Sequence, residues 1–313
     1  MPLSSDQSVN ETAGTLVKTL QGAFGTPAGY RPAHAKGRLT KGTFTPSQEA
    51  ATLSTAPHFN NASTPILTRF SNSTGLHAIP DTDPNANPRG MAVRFLLSSD
   101  GHKHTDIIAH STSHFPMRTG EGFLQMLGAI GGGTIGEFLA QNPSAKAFVE
   151  DPKPAPESFG TERYFGVTAF KLIDREGKET FVRYRIVPEA GYETLSEEEL
   201  KGKGKDYLFE ELEARLKSGL VSFKLMAQVA EEDDVTDDNT VHWPEERKQV
   251  ELGTIEVEEM VGEKESKEEQ QRIIFDPIPR VEGVDVSADP LLDMRAAIYL
   301  ISGKERRAAA STA

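Results

Sequence analysis

The sequence predicts an α+β fold: an antiparallel β-barrel or curved sheet of about eight strands, with helices flanking it and one at the end. Three observations carry this. About eight segments of the 313-residue chain have strand length and strand composition. The clearest of them pair as hairpins around Asp100-Gly101 and Arg175-Glu176-Gly177. The regular strand–helix–strand rhythm of a doubly wound sheet is missing.

Taken in order, residues 1–10 are polar and expected to be loose. Leu16, Leu20 and Phe24 recur every fourth residue, which predicts an amphipathic helix over 11–25 that ends near Gly25. Residues 26–48 are rich in Gly, Pro, Lys and Thr and read as extended. Strands are expected at 64–71, 89–99 and 104–111. A helix follows over 122–127, then Gly131-Gly132-Gly133, then a second helix near 134–149. Residues 162–174 and 179–187 form the next hairpin. Residues 193–218 read as a charged helix with Leu208, Leu212 and Leu216 on one stripe. Strands return at 220–230 and, last, 250–261. Residues 262–272 are charged and show no core pattern. A helix over 290–307 closes the chain. This divides the chain into an N-terminal tail and short helix (1–25) and one barrel domain with its terminal helix (26–313).

Composition removes several functions. The net charge of −13 argues against nucleic acid and anionic membranes as partners, which need an excess of Lys and Arg. The absence of cysteine excludes disulfides, thiolate zinc sites, iron–sulfur clusters, thiolate-ligated haem and any cysteine nucleophile. No apolar run reaches the ~18 residues of a membrane span, and no secretory leader is visible, so a cytoplasmic location is expected. Mean hydropathy is −0.44.

The last helix is the most unusual segment. Arg295, Tyr299, Ser302 and Arg306 lie at i, i+4, i+7 and i+11 and share one face. A guanidinium beside a phenol favours the phenolate, a hard anionic oxygen suited to ferric iron. A solvated amphipathic helix accounts for the same spacing. A second segment, Gly29 to Gly37, sets His34 among Ala, Pro and Gly, where a flat ligand or other backbone can approach closely.

These two segments together resemble the haem catalase superfamily. Arg31, His34, Ala35, Lys36 and Gly37 resemble its distal run, and Arg295 and Tyr299 its proximal helix. Between them, PILTRFS (65–71), PRGMAVRF (88–95), VHWP (241–244) and Phe275-Asp276-Pro277 recur in the family's order. The resemblance implies a catalase-like barrel whose terminal helix is the proximal haem helix. It implies haem b, with Tyr299 as the iron ligand and Arg295 paired to it. Arg31, Arg69 and Arg306 would meet the haem propionates, bidentately where geometry allows. Ser71 would orient His34, and Phe123, five residues after Arg118, would stack on the haem. His34 would move the proton in O–O cleavage.

The sequence departs from the family at three points, one of them Gly303 on the proximal helix, where many relatives carry His. Ala109-His110-Ser111-Thr112 stands where relatives have Gly-Asn-Asn-Thr, so His110 replaces the distal Asn. His114 follows four residues later, where relatives are apolar or aromatic. An imidazole titrates near pH ~6.5 and is bulkier than an amide. The similarity from Gly29 to Arg307, without the longer arms and extensions of full catalases, points to the short branch called catalase-related peroxidases. The expected activity is reduction of hydrogen peroxide or organic hydroperoxides with oxidation of a small organic electron donor, and weak catalase activity. A homodimer is expected. A haem isomerase or dehydratase of fatty-acid hydroperoxides and a non-catalytic haem-binding barrel are the alternatives. Of the remaining motifs, Gly131 to Gly136 reads as a helix connector rather than a dinucleotide loop, and His102-Lys103-His104 as a solvated hairpin tip.

Overall fold

A computed structural model describes residues 2–312; Met1 and Ala313, the ends of the two segments divided above, lie outside them. Helix α1 (Gln7–Phe24) begins earlier than the apolar pattern suggests. Asp6 caps it by accepting from Ser8 N, and Gly25 ends it in the left-handed region at φ 59°. The residues before it are not loose throughout, because Ser4 Oγ donates to Asp293 Oδ2 at 2.6 Å. Strand β1 (Gly37–Pro46) leads into two unpredicted short helices, α2 (Ala50–Leu53) and α3 (Pro57–Asn60). Then come β2 (Thr64–Ser71), β3 (Gly90–Leu96) and β4 (His104–His110), close to their predicted spans.

The helical stretch after β4 has three members: α4 (Gly120–Gly131), α5 (Ile135–Gln141) and α6 (Pro143–Glu150). The single helix expected over 134–149 is divided because Pro143 has no N–H and opens a new first turn. The strand expected over 162–174 is likewise two, β5 (Tyr164–Phe165) and β6 (Phe170–Ile173). Both lie along β7 (Glu179–Pro188). The charged helix is broken at Gly202-Lys203-Gly204 into α7 (Glu197–Lys201) and α8 (Tyr207–Ser218). Strands β8 (Val221–Val229) and β9 (Gln249–Met260) follow. The patternless segment is a helix, α9 (Glu263–Arg272), and β9 is not the last strand, since β10 (Val284–Val286) pairs with β6. The chain finishes in α10 (Pro290–Thr312).

The sheet runs β10-β6-β7-β5-β4-β3-β2-β1-β9-β8, and β8 returns to pair with β7. That pairing closes eight strands, β5-β4-β3-β2-β1-β9-β8-β7, into an antiparallel barrel. Its core is aromatic-rich, with Phe44, Phe70, Phe95, Phe159 and Phe223 all fully buried. Outside it, α1 lies on α10, joining Ala13 and Leu16 to Leu291, Met294 and Ala297.

Strand parity positions everything that follows. Side chains alternate across a sheet, so Ile66 and Phe70, Met91, Val93 and Phe95, and Ile107 and Ala109 fill the barrel. The intervening residues face outward in register. One row is Ser71, Gly90 and His110; the next is Arg69, Ala92 and Ile108; the third is Leu67, Arg94 and Asp106.

Candidate active site

This outer face of β2–β4 meets the segment before β1, together with α9 and α10. The predicted residues other than Phe123 converge there. His34 lies over Gly90 in the first row: its Nδ1 is 3.1 Å from Ser71 Oγ. A Cβ built on Gly90 would come within 2.8 Å of that same nitrogen and 2.6 Å of Ser71 Oγ. Only glycine leaves room for the pair. His34 itself holds φ 54°, a backbone costly for a side chain other than Gly, as strained functional residues often are. The residue is only partly buried, yet its pKa is pushed down to about 4 by desolvation, then by Arg69 and Arg31. Both hold together if the ring lines a hollow inside the protein.

Three guanidiniums gather at one end of this hollow. Arg31 donates to the carbonyls of Gln270 and Ile273, each at 3.2 Å. Arg306, 3% exposed, donates to the same two carbonyls at 3.3 and 2.7 Å, and to Ser302 Oγ at 2.8 Å. Arg69, 4% exposed, donates through Nε to Gln270 Oε1 at 2.7 Å and through Nη2 to the His34 carbonyl at 2.8 Å. Among the described residues no carboxylate forms an ion pair with any of them. Desolvation, followed by mutual repulsion with Arg69 and Arg306, drives the Arg31 pKa well down. Desolvation brings Arg69 to about 9 and Arg306 to about 10. Buried cations need a counter-charge, and a ligand carrying two carboxylates would supply it.

On α10, Arg295 Nε donates to Tyr299 Oη at 3.2 Å, so the phenol oxygen is held as an acceptor. Tyr299 acts electrostatically on Arg31, and Arg295 acts on both His34 and His110. The helix face read from the sequence therefore turns inward, and both of its pairs, Arg295–Tyr299 and Ser302–Arg306, form. The floor of the hollow is apolar: Leu67, Ala92 and Ile108 remain only partly buried beside Leu39, Val261, Ile273 and Phe275. A flat apolar ring bearing carboxylates fits this combination of an apolar floor, three cations without a carboxylate partner and one phenol oxygen held as an acceptor.

His110 ends β4. Its Nδ1 accepts from Thr112 N at 3.3 Å and lies 2.7 Å from Thr112 Oγ1. Desolvation and the charge of His34 push its pKa down to about 3. The ordinary value near 6.5 expected from the sequence does not hold, and the ring is neutral at neutral pH. His114 turns away from the hollow onto His242, ring centroids 4.1 Å apart, and Phe148. Phe123 packs with Phe115, centroids 5.3 Å apart, in the cluster around Met294 and Ile298. Arg118 is half-exposed and pairs with Asp237 at 2.6 Å. His102 lies in the turn between β3 and β4, and His104 opens β4 with Nδ1 3.2 Å from the Gly101 carbonyl.

Sequence reasoning missed three participants. Gly90 carries a readable signal, since a glycine inside a strand marks close approach. Gly37, already named in the distal run, plays the same part: a Cβ there would lie 2.4 Å from Arg69 Nη2. Thr112 and Gln270 carry no such signal. Beside the cluster a cleft of about 430 Å³ opens to the surface, lined among others by Tyr30, Arg31, Lys36, Phe209 and Gln270. It shares Arg31 and Gln270 with the arginine cluster.

Fold and site together define a closed antiparallel barrel with a phenol oxygen and two neutral imidazoles around a cationic hollow built on its outer face. The catalase family model matches residues 28–311, and the chain belongs to that family. It is 35% identical over 303 residues to a catalase-related peroxidase of Mycolicibacterium paratuberculosis, covering 94% of this chain and 95% of that one. It is 29% identical to a catalase-related peroxidase of Synechococcus elongatus, covering 94% and 88%. Catalase A from Saccharomyces cerevisiae shares the fold at a TM-score of 0.79 and 21% identity, across 97% of this chain and 65% of the yeast one. The chain thus spans about two thirds of that catalase. Family membership implies a haem cofactor.

Proposed function

We propose that the chain is a haem b peroxidase, reducing hydrogen peroxide or an organic hydroperoxide at the expense of a small organic donor, with weak catalase activity. The observation that carries this is the arginine cluster without a carboxylate partner, set between Tyr299 and the His34–Ser71 pair. Tyr299 would hold the iron through its phenol oxygen, Arg295 supporting the anion. Arg31, Arg69 and Arg306 would hold the propionates, and Phe123 would pack against the ring. The iron supplies the redox chemistry that cleaves the O–O bond.

The chain's residues handle the protons. Ser71 fixes the ring of His34 through Nδ1 and leaves Nε2 as the atom that takes a proton from peroxide and returns it to the leaving oxygen. A pKa near 4 keeps His34 a base at neutral pH. Per peroxide, two electrons and two protons are consumed. Hydrogen peroxide leaves as two waters and an alkyl hydroperoxide as an alcohol and water. Each donor molecule loses one electron and one proton. The cleft beside Arg31 is where a donor would come closest to the propionate edge. A homodimer in the cytoplasm, with the barrel domain over residues 26–313, completes the reading.

The test is the visible spectrum of Tyr299→Phe protein grown with iron. We expect it to lose the ferric tyrosinate spectrum, because Phe has no ligating oxygen. Retention of the wild-type spectrum removes Tyr299 as the ligand.

A further inference from the structure

Two imidazoles face the hollow, and only one is needed to move the proton. The first row places them close: His110 is register partner of Gly90, and Gly90 is the residue on which His34 rests. Their ring nitrogens are differently engaged. At His110 a backbone N–H, that of Thr112, points at Nδ1 with N···N 3.3 Å. A backbone N–H can only donate, so a proton on Nδ1 would meet it head on. The Thr112 hydroxyl has one hydrogen and two acceptors within reach, His110 Nδ1 at 2.7 Å and the His114 carbonyl at 3.4 Å, and the closer of them is Nδ1. The proton of the neutral ring is therefore on Nε2. Among the described residues Nε2 has no hydrogen-bond partner, and it is not sealed from the hollow. The low pKa agrees, because a neutral ring has one donor and one acceptor nitrogen and keeps both over the working pH range. The Thr112 backbone favours the charged ring, last among the influences on it.

We propose that His110 is a fixed-tautomer hydrogen-bond donor, presenting Nε2–H to an oxygen of the peroxide that His34 deprotonates. This rests on the peroxidase reading above. It divides the labour between the two rings: His34 accepts the proton at Nε2, and His110 holds the oxygen in place without giving its own proton up. Thr112 is the positioning residue, since its N–H decides which nitrogen of His110 is the donor.

The experiment uses the haem-loaded protein and cyanide, an iron-binding anion whose outer nitrogen accepts a hydrogen bond, with His110→Phe and His110→Asn as variants. Cyanide affinity is read by spectral titration, and the C–N stretch is compared in H2O and D2O. His110→Phe should bind cyanide about tenfold more weakly, the fold-change of one hydrogen bond to a charged acceptor, and lose its share of the D2O shift. His110→Asn retains a side-chain N–H and should recover most of both. In parallel, ¹⁵N-histidine spectra of the wild type should show His110 with Nε2 pyrrole-like and Nδ1 pyridine-like at pH 7. The opposite tautomer overturns the proposal, as does a His110→Phe protein that keeps its haem and binds cyanide as the wild type does. A wild type whose spectrum ignores cyanide sinks the haem reading instead, and the ¹⁵N spectra then still decide the tautomer.

Discussion

Gly90 shows how a missing side chain builds a site. His34 and Ser71 occupy the volume its Cβ would need, and His34 stays in a left-handed backbone to reach there. Gly90→Ala must therefore displace the ring from the hydroxyl. We expect haem content to be preserved and the bimolecular rate with hydrogen peroxide to fall about tenfold or more, as for catalytic groups misplaced by an ångström or less. Stopped-flow spectra at equal haem occupancy measure it, and an unchanged rate would show that the His34–Ser71 contact is dispensable. At this scale the sequence was most legible. His34, Ser71, Arg69, Arg295, Tyr299 and Arg306 are all recoverable from motifs, and they do come together. Thr112 and Gln270 were not. What they contribute is a backbone N–H, a carbonyl and one amide oxygen, and no residue pattern announces where a main-chain group will point.

Helix α9 illustrates what a hydrophobic reading cannot see. It buries only Ser266 among its ten residues, so it has no apolar stripe to recognise. Its work is polar: Ser266 Oγ accepts from Leu39 N at 3.1 Å, and Gln270 serves all three arginines. Gln270→Leu would leave Arg69 Nε without its acceptor. Its stability cost should be about 1–3 kcal/mol, measured by denaturant unfolding; equal midpoints would mean that Arg69 finds another partner. The opposite case is α10, whose one-face spacing is legible in the sequence and matches its Arg295–Tyr299 and Ser302–Arg306 contacts. Arg295→Leu removes the cation beside the Tyr299 oxygen while keeping bulk on the helix. Less acid should then be needed to free the tyrosine from iron, so the acid transition of the haem spectrum moves to higher pH. A transition at the wild-type pH counts against the pairing. The divided elements, α5 with α6, β5 with β6 and α7 with α8, share a cause. Each break is made by a Pro, a Gly or a close backbone approach inside an otherwise continuous pattern, and pattern alone does not weigh such a break.

The whole molecule holds several titratable groups away from their ordinary charge. Burial drives His34 to about 4 and His58 and His110 to about 3. Unfolded, each binds a proton near pH ~6.5. Between those limits the unfolded chain binds more protons, so this stability is complete above pH ~6.5 and is lost as the pH falls toward 4 and 3. Glu162 runs the other way: burial raises it to about 7, so its share is complete below the ordinary carboxylate range and lost as the pH rises through 7. The histidines outnumber it. Unfolding midpoints should fall between pH 6.5 and 4.5, and His58→Phe should flatten that fall by up to about 1.4 kcal/mol per pH unit. An equal slope would show that His58 is protonated within the fold. His58 is the clean probe, since desolvation alone lowers it, and it packs on Phe59 and Phe95 with ring centroids 4.0 and 4.6 Å away. The barrel itself is unevenly sewn. Most neighbouring strands share six or more registered pairs, but β4 and β5 share one, His110 with Phe165. The wall is thus thinnest at the residue that looks into the hollow. If barrels breathe where their lacing is shortest, the amides around 165 will exchange with solvent ahead of those in β1, β2 and β9. Each such opening will carry His110 with it, so the tempo of the seam and the tempo of the site become one.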